Sequence, residues 1–428
     1  MISIDNFKEL SFLVYGVGLS GRSVINFFKK NCITKYKVWD DQEKQLIKNK
    51  SPQNLNKFLH EVDYIILSPG VSLEKSKNRN KLIKYKKKII TDIDLIFLLR
   101  KFYKSIVVTG TNGKSTTCKI INHVLKRNGY KTLLGGNIGT PVLDLNIKKD
   151  IFLIIEVSSF QLAHSQFINP DYAILLNISN DHLDWHGNMK NYINSKFKIF
   201  NLQNKNQFSI VNKKLSKNFN RRKLLGKKFF PNLNNYYNLK RKIKNFYLKS
   251  LINDENMATV FELSKILKIN KNSFINSLNS FKGLPHRYEI FLKKKNCLFI
   301  NDSKATSFQA TKFALLNSKN IFWIVGGLPK ENDRINLNKV KKNIIKSYII
   351  GKNIEFFKGQ LKNKINYCIS KNLKHSIIQI LKDIRSLKKN DNIILLSPAA
   401  ASFDQYSNFE KRGEEFKRLS KYYARKYI

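Results

Sequence analysis

The chain has 428 residues, enough for two or three domains with separate cores. Hydrophobic residues make up 42% of the sequence, which excludes a disordered chain, and no apolar run approaches the roughly 20 residues that span a bilayer. Lys and Arg total 79 against 30 Asp and Glu, a net charge of +49, yet the basic residues are spread from end to end and accompany abundant Asn and Ile. This distribution favours a coding bias over a single nucleic-acid-binding face.

The first residues and the cysteines indicate a cytoplasmic protein. The sequence starts without a basic region followed by an apolar stretch and a small-residue cleavage site. Its four cysteines lie far apart and form no CxxC pair. We therefore expect neither a secreted protein nor a zinc site or disulfide framework.

Short apolar runs alternate with amphipathic helical stretches along the whole chain. Continuous Val, Ile and Leu runs are typical of strands buried on both faces, and their alternation with helices predicts parallel sheets. The predicted strands lie within residues 11–16, 64–70, 105–110, 151–159, 172–179, 297–303, 321–327, 347–351 and 393–399. We expect an α/β fold of three domains, each with a mainly parallel sheet: a Rossmann-like domain at 1–97, a central P-loop ATPase-like domain at 98–285 and a Rossmann-like domain at 286–428.

The first predicted strand is followed by the glycine-rich stretch GVGLSG. Its glycines are Gly16, Gly18 and Gly21, and the next strand, KYKVWDD, ends in Asp40 and Asp41. A GxGxxG turn with an acid some twenty residues later is the layout of a dinucleotide site. The stretch alone leaves two ligands open, NAD as in a dehydrogenase or another diphosphate nucleotide.

The stretch VVTGTNGKSTT has the order strand, glycine loop and helix that a phosphate cradle needs. The helix is predicted to start near Lys114 and to stop at Gly129. Val108 occupies the first glycine position of the strict GxxxxGK[ST] motif, but the core GxxGKS is present. In such a loop Lys114 can reach the β- and γ-phosphates of a nucleotide, and Ser115 can bind Mg²⁺.

Two further polar residues follow neighbouring predicted strands of the central domain. Glu156 comes after IFLII, and His182 lies in NISNDHLDWHG after the next strand. Carboxyl ends of parallel strands meet at one edge of a sheet, so both side chains are expected beside Ser115. A carboxylate and an imidazole there can organise Mg²⁺ around transferring phosphate oxygens.

The densest basic stretch covers residues 212–230 and continues in NLKRKIKNF. We interpret it as a solvated, lysine-rich connection; an RNA contact is the alternative.

Eight motifs together resemble the Mur ligase family. They fall in order over essentially the whole chain: GTNGKST (110–116), GGNIGTP (135–141), EVSSFQL (156–162), NISNDHLD (177–184), GLPHRYE (283–289), NDSKATS (301–307), GGLPK (326–330) and LSPAAASFDQYSNFEKRGEEF (396–416). The resemblance implies an ATP-dependent amide ligase of cytoplasmic peptidoglycan precursor synthesis. Within the family the motifs fit the branch that adds D-glutamate to UDP-N-acetylmuramoyl-L-alanine through an acyl phosphate and a tetrahedral intermediate.

The resemblance also implies roles for individual residues. The catalytic set is Lys114, Asn137, His182 and Lys196. The ATP site is Gly110, Thr111, Asn112, Gly113, Lys114, Ser115, Thr116, Asn256, Arg287 and Asp302. Two Mg²⁺ ions are expected on Ser115, Glu156, His182 and a carbamylated Lys196. The UDP-substrate site is Gly18, Leu19, Ser20, Asp40, Asp41, Ser68 and Gly70 of the first domain, with Asn137 and Ser158. The D-glutamate pocket is Lys304, Thr306, Lys330, Ser402 and Phe409.

Three alternatives remain open at this point. One is the dehydrogenase, one is a basic NTPase stimulated by nucleic acid, and one is a sister ligase that adds a different amino acid. The resemblance itself implies a monomer without a nucleic-acid partner or membrane insertion.

Overall fold

The computed structural model describes residues 3–42, 54–73, 76–99, 103–245, 247–249, 253–331, 333–387 and 391–428. Within them the chain forms three sheets, of four, six and six strands. The predicted α/β fold with mainly parallel sheets is confirmed.

The first sheet is parallel throughout and has the strand order β2-β1-β3-β4. Its strands are β1 (Phe12–Tyr15), β2 (Tyr36–Trp39), β3 (Tyr64–Leu67) and β4 (Ile89–Ile90). Its helices are α1 (Ile4–Glu9), α2 (Leu19–Lys30), α3 (Leu55–Glu61), α4 (Arg79–Lys84) and α5 (Asp92–Leu98).

The second sheet is also parallel, in the order β10-β9-β8-β5-β7-β6. Its strands are β5 (Lys104–Thr109), β6 (Thr132–Gly136), β7 (Phe152–Glu156), β8 (Tyr172–Leu175), β9 (Phe208–Val211) and β10 (Lys227–Phe229). Its helices are α6 (Lys114–Arg127), α7 (Ser159–His164), α8 (Leu183–His186), α9 (Met189–Phe197), α10 (Ser216–Asn220), α11 (Leu233–Lys240), α12 (Asp254–Ile266) and α13 (Lys271–Asn279).

The third sheet has the order β11-β12-β16-β13-β14-β15, with β11 antiparallel to β12 and the other pairs parallel. Its strands are β11 (Glu289–Lys294), β12 (Cys297–Asn301), β13 (Ile321–Gly326), β14 (Ile344–Ile350), β15 (Tyr367–Lys371) and β16 (Asn392–Leu396). Its helices are α14 (Phe308–Leu316), α15 (Ile354–Leu361), α16 (Leu373–Leu387) and α17 (Phe409–Tyr427).

The central strands are buried on both faces, as their apolar runs predicted. Every residue of β7, β8 and β13 is buried. The helix predicted after the glycine loop is α6, which starts at Lys114 as expected. It ends at Arg127, two residues before Gly129, whose φ of +83° lies in the left-handed region that glycine adopts without strain.

The chain divides into two compact units, Met1–Phe281 and Lys282–Ile428. The first unit contains the first two sheets, and one continuous apolar cluster includes residues of both, such as Phe12 and Val107. The short 3₁₀ helix Val142–Asp144 of the central sheet packs on α2 and α5 of the first sheet. The three-domain boundaries predicted from the sequence stay a prediction.

The basic stretch at residues 212–230 is more than a connection. It contains α10 with a fully buried Phe219, and β10, which extends the second sheet as an edge strand beside β9. Lys227 and Lys228 of β10 are exposed. The interpretation as a solvated connection is therefore wrong for the backbone of β10 and for Phe219, because pairing and aromatic packing place them in the fold.

Two other expectations concern membranes and thiols. None of the helices in the described part of the chain is long and apolar enough to cross a membrane. The four cysteines carry free thiols.

The replacement Val142→Ala tests the shared core of the first unit. Val142 is fully buried, and removing two methyl groups should lower the free energy of unfolding by about 2 kcal/mol. Amides that exchange only when the whole unit opens should then exchange about 30-fold faster. Hydrogen–deuterium exchange measured by mass spectrometry should show this in peptides covering both β1 and β7. The exposed Leu225→Ala is the control, and acceleration in only one of the two strands would contradict a shared core.

Candidate active site

The glycine loop between β5 and α6 turns sharply at Gly113. Gly113 has a φ of +82°, and a Cβ on it would lie 2.5 Å from the side-chain amide of Asn256. The next residue, Lys114, donates from Nζ to the carbonyl oxygens of Gly110 and Thr111, both at 2.9 Å. The N–H groups of the first turn of α6 and the Lys114 ammonium together form an anion cradle.

Asn177, just after β8, holds this loop in place. Its Oδ1 accepts from the N–H of Asn112 at 2.8 Å, and its Nδ2 donates to the carbonyl of Asn112 at 3.1 Å. Its own carbonyl accepts from the N–H of Thr111 at 2.9 Å. The hydroxyls of Thr111 and Tyr192 lie 2.9 Å apart. The loop is thus preorganised, so a ligand need not order it.

Lys196 of α9 lies beneath the same loop. Its side chain is almost fully buried, donates from Nζ to the Gly110 carbonyl at 2.9 Å and lies 4.7 Å from the ring centroid of Tyr192. Burial, together with the charge of Lys114, lowers the pKa of Lys196 to about 7. A large fraction of this amine is therefore neutral and nucleophilic near pH 7.

Glu156 ends β7 and pairs with Asn137. Its Oε1 accepts from Asn137 Nδ2 at 3.2 Å, and its carbonyl accepts from the Asn137 N–H at 2.8 Å. Glu156 is 2% exposed, and its Oε2 is buried with no hydrogen-bond partner among the described residues. A buried carboxylate oxygen without a partner is costly, so it is suited to a cation or a donor brought by a ligand.

His182 is the N-cap residue that precedes α8, and its backbone is in the left-handed conformation, with a φ of +54°. Its side chain is 46% exposed, and its ring centroid is 4.8 Å from that of Phe160. Burial lowers the pKa of His182, and the charges of Lys114 and Lys196 act in the same direction against that of Asp181. A neutral imidazole at this position can serve as a metal ligand.

The residues present fit Mg²⁺ under one condition. No group of three or more His, Cys, Asp or Glu side chains in the described ranges could hold a metal ion. The unpartnered Oε2 of Glu156 and the hydroxyl of Ser115 are oxygen ligands of the kind that Mg²⁺ uses, but phosphate oxygens and water must complete the shell. Such a set of ligands would hold the ion together with a nucleotide rather than alone.

A cavity of about 750 Å³ lies at the carboxyl ends of β1, β2 and β3. All seven residues of the first domain predicted to hold the uridine diphosphate line it: Gly18, Leu19, Ser20, Asp40, Asp41, Ser68 and Gly70. The same cavity extends to Asn137 and Gln161 of the central sheet. One elongated ligand can therefore reach from the GVGLSG turn to the Asn137–Glu156 pair.

The two carboxylates of this cavity are fixed by donors. Asp40 accepts from the N–H groups of Val17 at 2.7 Å and Gln42 at 2.8 Å. Asp41 is partly buried, which opposes ionisation, yet four side-chain donors outweigh this and lower its pKa. These donors are Trp39, Tyr15, Ser76 and Asn78. Both side chains are thus oriented acceptors for ligand hydroxyl or N–H groups, and the lowered pKa keeps Asp41 ionised.

Gln161 connects the two sheets of the first unit. Its Oε1 accepts from the N–H of Ser158, and its Nε2 donates to Asp92 Oδ1 at 3.2 Å. Asp92 opens α5, and burial raises its pKa although Gln161 and Ser20 donate to it. Asp92 therefore links the glycine turn at Ser20 to Gln161 on the central sheet. Ser158 itself caps α7 and is buried.

In the second unit, two loops that carry predicted residues lie side by side. Leu328 and Ala401 exchange two backbone hydrogen bonds of 2.9 Å each. This pairing brings the loop of the exposed Lys330 next to the loop of the buried Ser402.

The other predicted residues of the amino-acid pocket lie around α14 and α17. Lys304 lies over the ring of Phe409, with Nζ 4.8 Å from the centroid. Thr306 is half-buried before α14. Lysines and hydroxyls of this kind suit a dicarboxylic ligand.

Asp302 follows β12 and is buried. It accepts from the N–H of Tyr288 at 3.1 Å and from Ser397 Oγ at 2.7 Å. Burial raises its pKa to about 7, although these donors and the charge of Arg287 oppose the rise.

Arg412 of α17 was not predicted. It is 1% exposed and donates to the hydroxyl and carbonyl of Ser303 and to the carbonyl of Ala400. Its Nη1 is buried with no hydrogen-bond partner in the described part of the chain, and a Cβ on Gly327 would lie 3.2 Å from it. This buried guanidinium links the loop of Ser303 to the loop of Ala400. Its unused donor is placed to meet an anion.

The predicted residues thus gather in two groups, one in each unit. Sequence reasoning missed Asn177, Tyr192, Asp92, Gln161 and Arg412. Two of them had a usable signal, because Asn177 is a polar residue near the end of the predicted strand within 172–179 and Tyr192 precedes Lys196 by about one helical turn.

Comparison with known proteins gives a consistent result. Residues 108–275 match the family model of the Mur ligase middle domain. A protein of Wolbachia sp. subsp. Brugia malayi named UDP-N-acetylmuramoylalanine–D-glutamate ligase is 35% identical, with 98% of this chain and 97% of that protein covered. The protein of the same name from Buchnera aphidicola subsp. Schizaphis graminum is 36% identical, with 97% and 99% covered.

Solved structures share the fold. The MurF ligase of Thermotoga maritima in complex with ADP superposes with a TM-score of 0.58 at 18% identity, covering 99% of this chain and 97% of its own. The UDP-N-acetylmuramate–alanine ligase MurC of Thermotoga maritima also gives 0.58, at 16% identity, covering 97% and 100%.

The replacement Asn177→Ala tests the support of the glycine loop. It removes the two side-chain hydrogen bonds to Asn112, which are worth roughly 1 kcal/mol each at most, so the affinity for ADP should fall about tenfold. Isothermal titration calorimetry with ADP measures this. The exposed neighbour Asn180→Ala is the matched control, and equal affinities of the two variants would refute the role of Asn177.

Proposed function

The chain belongs to the Mur ligase family, and from this premise we propose that it adds D-glutamate to UDP-N-acetylmuramoyl-L-alanine with ATP, in the synthesis of peptidoglycan precursors. Relatives that carry the name of this ligase align over nearly the full chain at 30–36% identity. The structural observation that supports the reaction is the cavity that runs from the GVGLSG turn to Asn137. This cavity lets a uridine-diphosphate substrate present its carboxylate beside Glu156 and the loop between β5 and α6.

The first step is activation of the substrate carboxylate. A carboxylate is a poor electrophile, and its attack on the γ-phosphorus of ATP gives an acyl phosphate and ADP. The N-terminus of α6 and Lys114 bind the phosphate oxygens and offset the charge that develops on the transferring group. Asn137, which is oriented by Glu156, is placed to donate to the carboxylate or the acyl oxygen.

Mg²⁺ would be held by Ser115, Glu156, His182 and a carbamylated Lys196. When bound, it supplies positive charge to phosphate oxygens. The free Oε2 of Glu156 and the neutral imidazole of His182 fit this assignment.

The second step is attack by the amine of D-glutamate on the acyl carbon. The tetrahedral intermediate then expels phosphate and leaves an amide. We assign the two carboxylates of D-glutamate to Lys304 and Lys330, with hydroxyl contacts from Thr306 and Ser402 and a wall from Phe409. Asn256, Arg287 and Asp302 are assigned to the nucleotide, and Asn256 is favoured by its position against Gly113.

The proposal also covers the domain boundaries, the oligomeric state and the localisation. We assign the UDP-substrate domain to residues 1–97, the ATP domain to 98–285 and the amino-acid domain to 286–428. The protein is proposed to act as a monomer in the cytoplasm. A dehydrogenase or a nucleic-acid-stimulated NTPase leaves the Asn137–Glu156 pair and Lys196 without a role.

Phosphate release measured with each substrate omitted in turn tests the reaction. Release should require UDP-N-acetylmuramoyl-L-alanine, ATP and D-glutamate together, and L-lysine or meso-diaminopimelate should not replace D-glutamate. Lys114→Ala should lower kcat by about 10²- to 10³-fold, because it removes a cation from the transferring phosphate.

The matched control is Lys126→Ala, an exposed lysine of the same helix, which should leave kcat unchanged. Release that depends on NAD or on added RNA, or that favours another amino acid, would refute the proposed function.

Labelling with ¹³C-bicarbonate tests carbamylation of Lys196. The neutral amine adds to CO₂ and loses one proton, so the carbamate signal in ¹³C NMR should grow as the pH rises through 7, the region of the lowered pKa of Lys196. The signal should vanish in Lys196→Arg. It should persist in the control Lys198→Arg, which changes a lysine two residues further along the chain. A signal that survives in Lys196→Arg would place the carbamate elsewhere.

A further inference from the structure

A second, strongly basic cavity lies outside the active site, between the first and second sheets of the first unit. Its volume is about 590 Å³, within the range of small-molecule sites. It is formed by the segment from α4 to β4 on one side and by the end of α7 with Lys198 on the other. None of its described lining residues is acidic, and five are lysines: Lys84, Lys86, Lys87, Lys88 and Lys198.

Two of these lysines are already engaged with the backbone. Lys88 donates to the carbonyls of His60 and Val62, at 2.6 and 2.7 Å. Lys198 donates to the carbonyls of Ala163 and Ser165 at the end of α7. Carbonyl partners satisfy the donors of these ammonium groups but leave their positive charge uncompensated.

One carboxylate acts on a lysine of the cavity, but a single negative charge cannot offset five lysines. Asp94 interacts with Lys198 through its charge, but its Oδ1 already accepts from Ser165 Oγ and from the N–H groups of Gln166 and Phe167, at 2.6, 3.1 and 2.8 Å. Asp94 is fully buried and does not line the cavity.

The side chain of His164 lies close to these positive charges. It lines the cavity, and its Nε2 is buried without a hydrogen-bond partner among the described residues. Burial and the charges of Lys198 and Lys86 lower the pKa of His164 to about 4. An anion in the cavity would reverse that electrostatic effect.

We propose that this cavity is a binding site for a small polyphosphorylated anion, distinct from the nucleotide and UDP-substrate sites. Several ammonium groups around one concavity match the charge density of two or three linked phosphates. A concavity of about 590 Å³ bounded by two short segments of the chain favours a small molecule over a membrane surface or a long nucleic acid, which would need an extended face. The proposal does not depend on the reaction assigned above.

Calorimetric titration with tripolyphosphate tests the site. The full-length protein is first saturated with ADP and UDP-N-acetylmuramoyl-L-alanine, so that both proposed phosphate sites are filled. The double variant Lys86→Gln/Lys87→Gln removes two exposed lysines of the cavity. The affinity of this variant for tripolyphosphate should fall about tenfold or more, because two of the cavity's charges are lost. The matched control, Lys29→Gln/Lys30→Gln, removes two exposed lysines at the end of α2 and should bind like the unmodified chain.

A second readout follows the site itself. Tripolyphosphate should raise the pKa of His164, measured by NMR of the imidazole, in the unmodified chain and in the control but not in the cavity variant. Ligase activity without tripolyphosphate should be the same in all three proteins, which separates a failure of this site from a failure of the proposed reaction. An equal loss of affinity in both variants, an unchanged His164, or tighter binding of single-stranded RNA or anionic vesicles than of tripolyphosphate would each overturn the proposal.

Discussion

Two lysine side chains share one carbonyl oxygen in the loop between β5 and α6, and the proposed chemistry of the first unit depends on that contact. Lys114 and Lys196 both donate to the carbonyl of Gly110 at 2.9 Å. Burial disfavours the charged form of Lys196, the nearby charge of Lys114 adds to that effect, and together they lower the pKa of Lys196 to about 7. Binding of nucleotide phosphates relieves the repulsion, and so would conversion of Lys196 to an anionic carbamate. The same feature therefore favours the substrate and the modification that the proposed chemistry uses.

The parts of the fold that the sequence predicted well are those set by local pattern. Apolar runs marked the central strands, and the glycine loop marked the start of α6 within one residue. Polar residues at strand ends located Glu156 and the cavity residues Asp40 and Asp41, because parallel strands place their carboxyl ends at one edge. Roles carried by the family resemblance reached further, as with Asn137, whose contact with Glu156 no local pattern indicates.

Other elements depended on tertiary contacts and could not be read from the chain. The strand Lys227–Phe229 is short and starts with two lysines, so neither its length nor its pattern predicts a strand; pairing with β9 makes it one. The Gln161–Asp92 bond joins residues far apart in the chain, and its existence requires the packing of two sheets. Arg412 looks like one more charged residue of an amphipathic helix until α17 packs its guanidinium under the loop of Ala400.

Acidic and basic side chains differ in how often they are buried. This difference explains how a chain with such an excess of lysine can still form specific binding sites. The sequence has 30 acidic and 79 basic residues, yet among the described residues five acids are buried against two bases. The buried acids, Asp92, Asp94, Glu156, Asp254 and Asp302, lie at sheet joints or beside the proposed active-site residues, so the scarce carboxylates are kept where an acceptor is needed. The buried bases, Lys196 and Arg412, belong to the two groups of site residues. Most lysines are thus solvated, and their field draws polyanionic substrates toward the surface, while the few buried charges fix the geometry of the two groups of site residues.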